Sequence, residues 1–225
     1  MGEILRNYDV LGAFWMTIYL AFFSAIGALV IGTILAIMRV SPVGVLRWAG
    51  TTYVNTVRNT PLTLILVFCS LGILYILEVS LADEQSPTSI VDNNIRWAIV
   101  GLAVYHAAFV CEALRSGVNT VPLGQAEAAR AIGLTFWQSL TQVIMPQAFR
   151  GAIAPLGSVL IALIKNTTVA SIIGVAEASG LMKEIMENET ASLGVFLIFA
   201  IGFVILTLPT GLLFTWMSQR LAVKR

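Results

Sequence analysis

Two short polar segments interrupt apolar stretches of this sequence. Each has the order cation, Asn, Thr, then a Pro or Thr and an aliphatic residue. A charged side chain inside an apolar helix is costly, and it usually faces the protein interior or a water-filled cavity. Interrupted helices in corresponding places point to a transport pathway. The polar residues of the two segments are Arg58, Asn59, Thr60, Lys165, Asn166, Thr167 and Thr168.

The second segment has side chains that suit a zwitterionic solute. The ammonium group of Lys165 could bind a carboxylate, and the Asn and Thr side chains could hydrogen-bond the solute or the backbone groups that a broken helix leaves free. A structural polar seam between helices, or a hinge that serves coupling, is the alternative interpretation. For Arg58, near the inner end of its apolar run, snorkelling or an inner-gate role is favoured over contact with a solute.

The sequence contains no pattern typical of an enzyme's active site. Its one histidine, His106, and its two cysteines, Cys69 and Cys111, lie in apolar runs without metal-ligand spacing, so we expect buried structural roles for them. The Walker A pattern of ATPases, the G-x-S-x-G elbow of hydrolases and the H-E-x-x-H zinc motif are all missing. We expect this chain to catalyse no covalent chemistry and to bind no metal.

The composition predicts an all-α integral membrane protein. Of 225 residues, 58% are hydrophobic and 11% are charged, with a mean hydropathy of +0.89; soluble domains carry about 25% charged residues. Uncharged runs predict about five transmembrane helices in one membrane domain, residues 10–220. The first run is too long for a signal peptide. The expected spans are 14–38, 57–78, 96–114, 151–174 and 192–217.

The charges predict an outer N-terminus and a cytoplasmic C-terminus. Positive residues gather on the side that we place in the cytoplasm, as the positive-inside rule requires. They are Arg39, Arg47, Arg58, Arg115, Arg130, Arg150, Arg220, Lys224 and Arg225. The outer segments hold the cations Arg6, Arg96 and Lys183, and the acids Glu3, Asp9, Glu78, Asp83, Glu84, Asp92, Glu177, Glu184, Glu187 and Glu189. The uncharged stretch 131–149 is too polar to span a membrane, so we expect a surface helix there.

The longest cytoplasmic loop, residues 115–150, predicts two short helices at the membrane surface. Good helix formers fill 125–132, and Gly133 then ends the first helix. Thr135 is a candidate N-cap of the second helix, which Pro146 ends or kinks. Glu127 and Arg130 lie about one turn apart on the first helix. This shape suits the docking of a soluble partner.

The loop resembles the EAA loop of permeases in ATP-binding-cassette importers, written E-A-A-x3-G-x9-I-x-L-P. The spacing matches throughout, and the departures, Val143 for Ile and Met145 for Leu, are conservative. In that family the loop forms the coupling helix, which lies in a groove of the ATPase. The resemblance implies coupling contacts by Glu127, Ala128, Ala129, Arg130 and Gly133.

The two polar segments resemble those of permeases of the polar amino-acid subfamily, and the resemblance covers nearly the whole chain. It implies a type I importer fold in the bacterial cytoplasmic membrane, paired with a second permease subunit that is identical or paralogous. Two ATPase subunits would carry ATP and Mg, and an extracytoplasmic binding protein would deliver the solute. No cofactor on this chain and no nucleic-acid partner are implied. The chain looks closest to permeases of actinobacterial glutamate importers, which implies a polar L-amino acid, glutamate or a relative, as solute.

An ion-coupled secondary amino-acid transporter is the alternative class. Such a carrier needs its own ion-coupling carboxylates within the spans. The nearest candidate is Glu112, at the inner end of the third span, which we expect to form an exposed or interfacial pair with Arg115 of little energetic weight.

Overall fold

The computed structural model describes residues 7–188 and 193–221, and the regular structure within these ranges is helical throughout. The charged residues Glu3, Arg6, Glu189, Lys224 and Arg225, on which part of the charge pattern rests, lie outside the described residues. The α-helices are α1 (Val10–Val40), α2 (Gly44–Arg58), α3 (Leu62–Val67), α4 (Ser89–Val118), α5 (Leu123–Ala131), α6 (Phe136–Ser139), α7 (Met145–Asn166), α8 (Ala178–Asn188) and α9 (Leu193–Leu221).

Non-α helical segments extend two of these helices. A π-helix, Phe68–Ile76, continues α3, a π turn, Leu140–Ile144, joins α6 to α7, and a 3-10 segment, Thr167–Ile173, follows α7. Four helices of the described chain are long and apolar enough to cross a membrane, namely α1, α4, the continuous stretch Phe136–Ile173 and α9. The bent pair formed by α2 and the α3 stretch gives a fifth, in agreement with the expected number.

The structure differs from expectation at the second span. We expected one helix over 57–78 and a loop over 39–52, but α2 fills most of that loop, and the chain bends by 102° between α2 and α3. Pro61 explains the bend, because it lacks an N–H and disfavours helical conformation at Thr60. The side chains of Asn59 and Thr60 donate to carbonyl oxygens in the last turn of α2, at 2.7 and 2.9 Å.

The fourth span also begins earlier than expected. We expected a helix over 151–174, separated by Pro146 from a surface helix. The π turn instead carries the helix from α6 directly into α7, and Pro146 lies in the first turn of α7, where a missing N–H costs little. The other expected spans fall within α1, α4 and α9, except for residue 192, which is outside the described residues.

The core is built around α4, which packs against α1 on one side and α7 on the other. Small residues permit this close approach. A Cβ added to Gly117 of α4 would lie 2.1 Å from the carbonyl oxygen of Ala148 in α7, and one added to Gly32 of α1 would lie 2.6 Å from the side chain of Val110. Such contacts between small residues are typical of helices packed in a membrane, where van der Waals contact drives association.

Candidate functional site

One side of α4 contacts both polar segments that the sequence singled out. His106, Phe109 and Glu112 follow one another along this side at intervals of three residues. His106 is hydrogen-bonded to Asn166, whereas Phe109 and Glu112 contact Arg58. At a rise of about 1.5 Å per residue, these contacts lie roughly 5–9 Å apart along the helix. The structure therefore places both segments against α4, separated by about one to two helical turns along its axis.

The second segment marks the change from α-helix to 3-10 helix. Thr167 is fully buried, and its hydroxyl donates to the carbonyl of Ile164 at 2.8 Å. The hydroxyl of Thr168 donates to the carbonyl of Lys165 at 2.7 Å. Both hydroxyls thus satisfy carbonyl groups of their own helix. The side chain of Lys165 is exposed.

The first segment lies at the bend between α2 and α3. Arg58 is the last residue of α2, and its guanidinium lies 6.0 Å from the centre of the Phe109 ring and 3.6 Å from a carboxylate oxygen of Glu112. A guanidinium over an aromatic ring is stabilised by the charge distribution of the ring. Arg58 is thereby held by α4. Asn59 is exposed and Thr60 is partly buried beside it.

Glu112 joins three arginines from three parts of the chain. Its carboxylate bonds Arg39, whose side chain is 9% exposed, and also lies near Arg58 and Arg115. The Arg115 contact, at 3.9 Å, is the longest of the three. The expected pair of Glu112 with Arg115 is present between partly exposed side chains. The contact of Glu112 with Arg39 of α1 is additional, and it was not predicted from the sequence. The carboxylate is already engaged, which argues against a free ion-coupling group here.

The EAA segment forms α5, a short helix that presents a mixed surface. Glu127, Ala128, Arg130 and the following Gly133 are exposed. Two large apolar side chains beside them are also exposed, Leu123 at 82% and Ile132 at 78%. Ala129 is buried against the rest of the chain, so its small side chain permits packing of α5 on the π turn. Exposed apolar and charged groups together suit a protein interface.

The end of α5 is formed as the sequence predicts. Gly133 has a φ of +86°, its N–H bonds the carbonyl of Arg130, and the N–H of Leu134 bonds the carbonyl of Ala129. This pattern is a Schellman motif, which stops a helix and satisfies its last carbonyls. Thr135 then caps α6 in a capping box with Gln138, which confirms Thr135 as an N-cap.

At the ends of the spans that lie away from α5, buried polar side chains bond the backbone of the connecting segments. No such role was predicted for them from the sequence. Asn93 accepts hydrogen bonds from the backbone N–H groups of Leu81 and Ala82, and so fixes the loop before α4. Glu177 is fully buried just before α8, where its carboxylate accepts from the N–H groups of Ser179 and Gly180, both at 2.8 Å. Burial raises the pKa of Glu177, although these two bonds partly oppose the shift.

The described residues hold no group of three or more His, Cys, Asp or Glu side chains that could bind a metal ion. His106 is buried, as expected from the sequence, but its hydrogen bond to Asn166 was not predicted. Its spacing from Phe109 and Glu112 was the available signal, because residues three positions apart lie on the same side of a helix. The partners of these side chains come from distant parts of the chain.

The chain belongs to the family described as the binding-protein-dependent transport system inner membrane component, whose model matches residues 28–223. It is a membrane-embedded permease of this family. Among its relatives is the glutamate transport system permease protein GluC of Corynebacterium glutamicum, which is 58% identical over 96% of each chain. The probable glutamine ABC transporter permease protein GlnM of Bacillus subtilis is 31% identical over 97% of this chain and 96% of its own.

Solved structures share the fold. A crystal structure of an amino acid ABC transporter with histidines has a chain that matches with a TM-score of 0.82, at 23% identity and over 97% of both chains. A chain of the methionine ABC transporter MetNI in an inward-facing conformation matches with a TM-score of 0.76, at 20% identity, over 95% of this chain and 96% of that one. The fold is therefore that of type I ABC importer transmembrane domains.

Proposed function

We propose that this chain is the permease subunit of an ATP-driven importer that carries glutamate, or a closely related polar L-amino acid, into a bacterial cell. The observation that carries the proposal is the 58% identity, over almost the full length, to a permease of a glutamate transport system. The fold alone would suit importers of several amino acids, as the names of the two solved structures illustrate. The choice of glutamate therefore rests on the sequence relatives.

The geometry supports transport by alternating access. Arg58 and Asn166 belong to interrupted helices that meet at α4, and interrupted helices at midplane are common in solute pathways. In this proposal the side chains near Lys165 and Asn166 contact the solute. Arg58 and Glu112 hold the bend on the cytoplasmic side. Movement of α5 by the ATPase would then be transmitted to these helices through the continuous helix that begins at Phe136.

The energy comes from partner subunits in this proposal. Two ATPase subunits bind ATP and Mg, and α5 docks on one of them through Glu127, Ala128, Arg130 and the neighbouring apolar side chains, with Ala129 and Gly133 shaping the helix. A second permease, identical or paralogous, completes the pathway, and an extracytoplasmic binding protein delivers the solute. The N-terminus lies outside and the C-terminus in the cytoplasm. The exposed apolar side chains of α9 suit membrane lipid or the second permease.

A secondary transporter driven by an ion gradient is not favoured by any described residue. The one acid at the cytoplasmic side of α4, Glu112, is bonded to Arg39 and close to two further arginines. An ion-coupling carboxylate has to bind and release its ion during each cycle, and three neighbouring cations would oppose the binding of a further cation. We therefore propose an ATP-driven importer and not an ion-coupled carrier.

Purification of the assembled complex tests the proposal. The tagged chain is extracted gently from native membranes, and the proteins that accompany it are identified by mass spectrometry. We expect an ATP-binding-cassette ATPase, an amino-acid-binding protein and either a second permease or this chain alone. Vesicles containing the complex should accumulate labelled glutamate only when ATP is present on the ATPase side. Uptake that follows an ion gradient and ignores ATP would overturn the proposal.

The charge on α5 gives a sharper test of the coupling surface. Glu127→Arg should abolish ATP-dependent uptake while the chain still inserts in the membrane. The substitution places a positive charge where the ATPase groove is proposed to accept the negative charge of Glu127. Gln219→Arg is the matched control, since it adds an exposed cation near the cytoplasmic end of α9, away from α5. Normal uptake by the Glu127→Arg variant would show that α5 is not the coupling element.

A further inference from the structure

Asn166 is held by a buried histidine from another helix. Its amide nitrogen lies 3.2 Å from Nε2 of His106, and Nδ1 of the same histidine lies 2.9 Å from the carbonyl oxygen of Leu102. His106 is 1% exposed, whereas Asn166 is only partly buried, at the end of α7. The histidine therefore links the interior of α4 to a side chain that borders the proposed pathway.

The two hydrogen bonds fix the direction of each group. A carbonyl oxygen can only accept, so Nδ1 of His106 must carry the proton and donate to Leu102. The amide nitrogen of Asn166 can only donate, so Nε2 of His106 accepts through its lone pair and carries no proton, which makes the ring neutral. The carboxamide oxygen of Asn166 must point away from the histidine. Among the described residues, no group donates a hydrogen bond to this oxygen.

The histidine ring is itself held in place by aromatic neighbours. The centre of the Tyr105 ring lies 5.2 Å away, nearly perpendicular, and the centre of the Phe109 ring lies 6.2 Å away. A ring fixed by packing and by a backbone hydrogen bond is a rigid support for the group that it holds, which is the arrangement expected beside a functional side chain.

We propose that His106 is a positioning residue for transport, holding Asn166 so that its carboxamide oxygen accepts a hydrogen bond from the α-ammonium group of the solute. An ammonium group is a donor only, and it therefore needs an acceptor of this kind. Lys165, next to Asn166, supplies the opposite charge for a carboxylate of the same solute. This inference rests on the proposed function, because it assumes that an amino acid passes Asn166.

The test compares transport with ATP hydrolysis in the complete importer. The complex is reconstituted in vesicles, and labelled glutamate uptake and phosphate release are measured in the same preparation with saturating binding protein. His106→Phe keeps a planar ring but lacks the acceptor, so the amount of glutamate moved per ATP should fall about tenfold, as expected for the loss of one hydrogen bond to a charged group. His106→Gln, whose amide oxygen can accept from Asn166, should restore most of the ratio.

A matched control removes another buried hydrogen bond, one that involves neither His106 nor Asn166. Thr17 is fully buried in α1, and its hydroxyl accepts from the N–H of Ala178 at 3.2 Å. Thr17→Val should lower thermal stability but leave the ratio of glutamate to ATP unchanged. A simple loss of packing would instead reduce uptake and hydrolysis together in either variant.

Two outcomes would overturn the inference. An unchanged ratio in the His106→Phe complex would show that His106 does not act on the solute through Asn166. If the His106→Phe variant fails to assemble, the Asn166→Leu variant is measured instead, because its substitution is at the partly exposed partner. A normal ratio of glutamate to ATP in that variant would show that the Asn166 oxygen is not needed for transport. Failure of the wild-type complex to move glutamate with ATP would reject the proposed function itself. The wild-type measurement therefore tests the function, and the variants test the role of His106.

Discussion

A carboxylate oxygen of Glu112, in the inner half of α4, lies 3.6 Å from the guanidinium of Arg58 at the bend between α2 and α3. The same oxygen bonds Arg39 near the end of α1. One side chain therefore joins the ends of α1 and α2 to α4. With Arg115 also close, three positive charges surround one negative charge, so the removal of Glu112 would leave them facing each other.

Glu112→Gln should destabilise the assembled permease. The desolvated Arg39, 9% exposed, would lose its charged partner, while Arg58 and Arg115 can turn to water. We expect a cost of roughly 1–3 kcal/mol, less than for a fully buried pair because Glu112 is partly exposed. The thermal unfolding midpoint of the purified complex should fall by several degrees. Glu184→Gln, which removes an exposed acid of α8, is the control and should leave the midpoint unchanged.

Comparison of the arginines separates the contributions to this cluster. Arg39→Gln should cost more stability than Arg115→Gln, because Arg39 is the least exposed and makes the closest contact, whereas Arg115 lies 3.9 Å away and is 36% exposed. Equal effects of both variants, or a Glu112→Gln complex as stable as the wild type, would contradict the view that Glu112 fixes the ends of the helices.

Much of the fold could be predicted from the sequence, because its signals are local. The long uncharged runs locate α1, α4 and α9, and the positive φ of Gly133 and the capping box at Thr135 follow from residue type and spacing. The bend at Pro61 was not predicted. The charges of Arg47 and Arg58 end the apolar run there, so that α2 resembles a loop, and its helical state depends on packing against α1 and α4.

The site was predicted only in its parts. The polar segments at Arg58 and Asn166 could be recognised, since an interrupted apolar run is visible in a single sequence. Their attachment to α4 could not, because His106 lies 60 positions before Asn166 and 48 positions after Arg58 in the sequence, and long-range partners leave no local pattern. The contacts of Glu112 were predicted only in part for the same reason: Arg115 is near in sequence, whereas Arg39 is distant in sequence but nearer in space.

The buried Glu177 predicts a pH dependence of stability at the proposed outer end. Burial raises the pKa of this carboxyl above its ordinary value of 4.5, more than the N–H groups of Ser179 and Gly180 and the charge of Lys183 lower it. The folded state therefore holds the proton more tightly than the unfolded state. The contribution of Glu177 to stability is complete below about pH 4.5 and is lost as the pH rises through the raised pKa.

Glu177→Gln should flatten this dependence, because glutamine does not titrate and still offers an oxygen to the N–H groups that start α8. The fall in the unfolding midpoint between pH 4.5 and pH 8 should be smaller in the variant than in the wild type. Glu187→Gln removes an exposed acid from α8, the helix that Glu177 precedes, and is the control. An identical pH profile of wild type and Glu177→Gln would mean that the carboxyl titrates alike in the folded and unfolded chain.

Gly133 should be required for coupling because of its backbone conformation, and not because a side chain would lack space. Its φ of +86° is strained for any residue with a Cβ, yet an added Cβ would meet no atom within 4 Å. Gly133→Ala should therefore cost about 1–2 kcal/mol locally without a steric clash, and loosen the end of α5. Gly124→Ala is the matched control, because its Cβ would also meet nothing but its φ is not positive.

The two glycine variants can be compared by hydrogen exchange and by uptake. In Gly133→Ala, the amides of Gly133 and Leu134, which close the Schellman motif, should exchange faster, and ATP-dependent uptake should fall several-fold because α5 presents its contacts less often. Gly124→Ala should exchange at least as slowly as the wild type, since alanine favours a helix. Asparagine tolerates the left-handed conformation, so Gly133→Asn should recover part of the uptake. Equal exchange in Gly133→Ala and Gly124→Ala would show that the end of α5 does not depend on the conformation of Gly133.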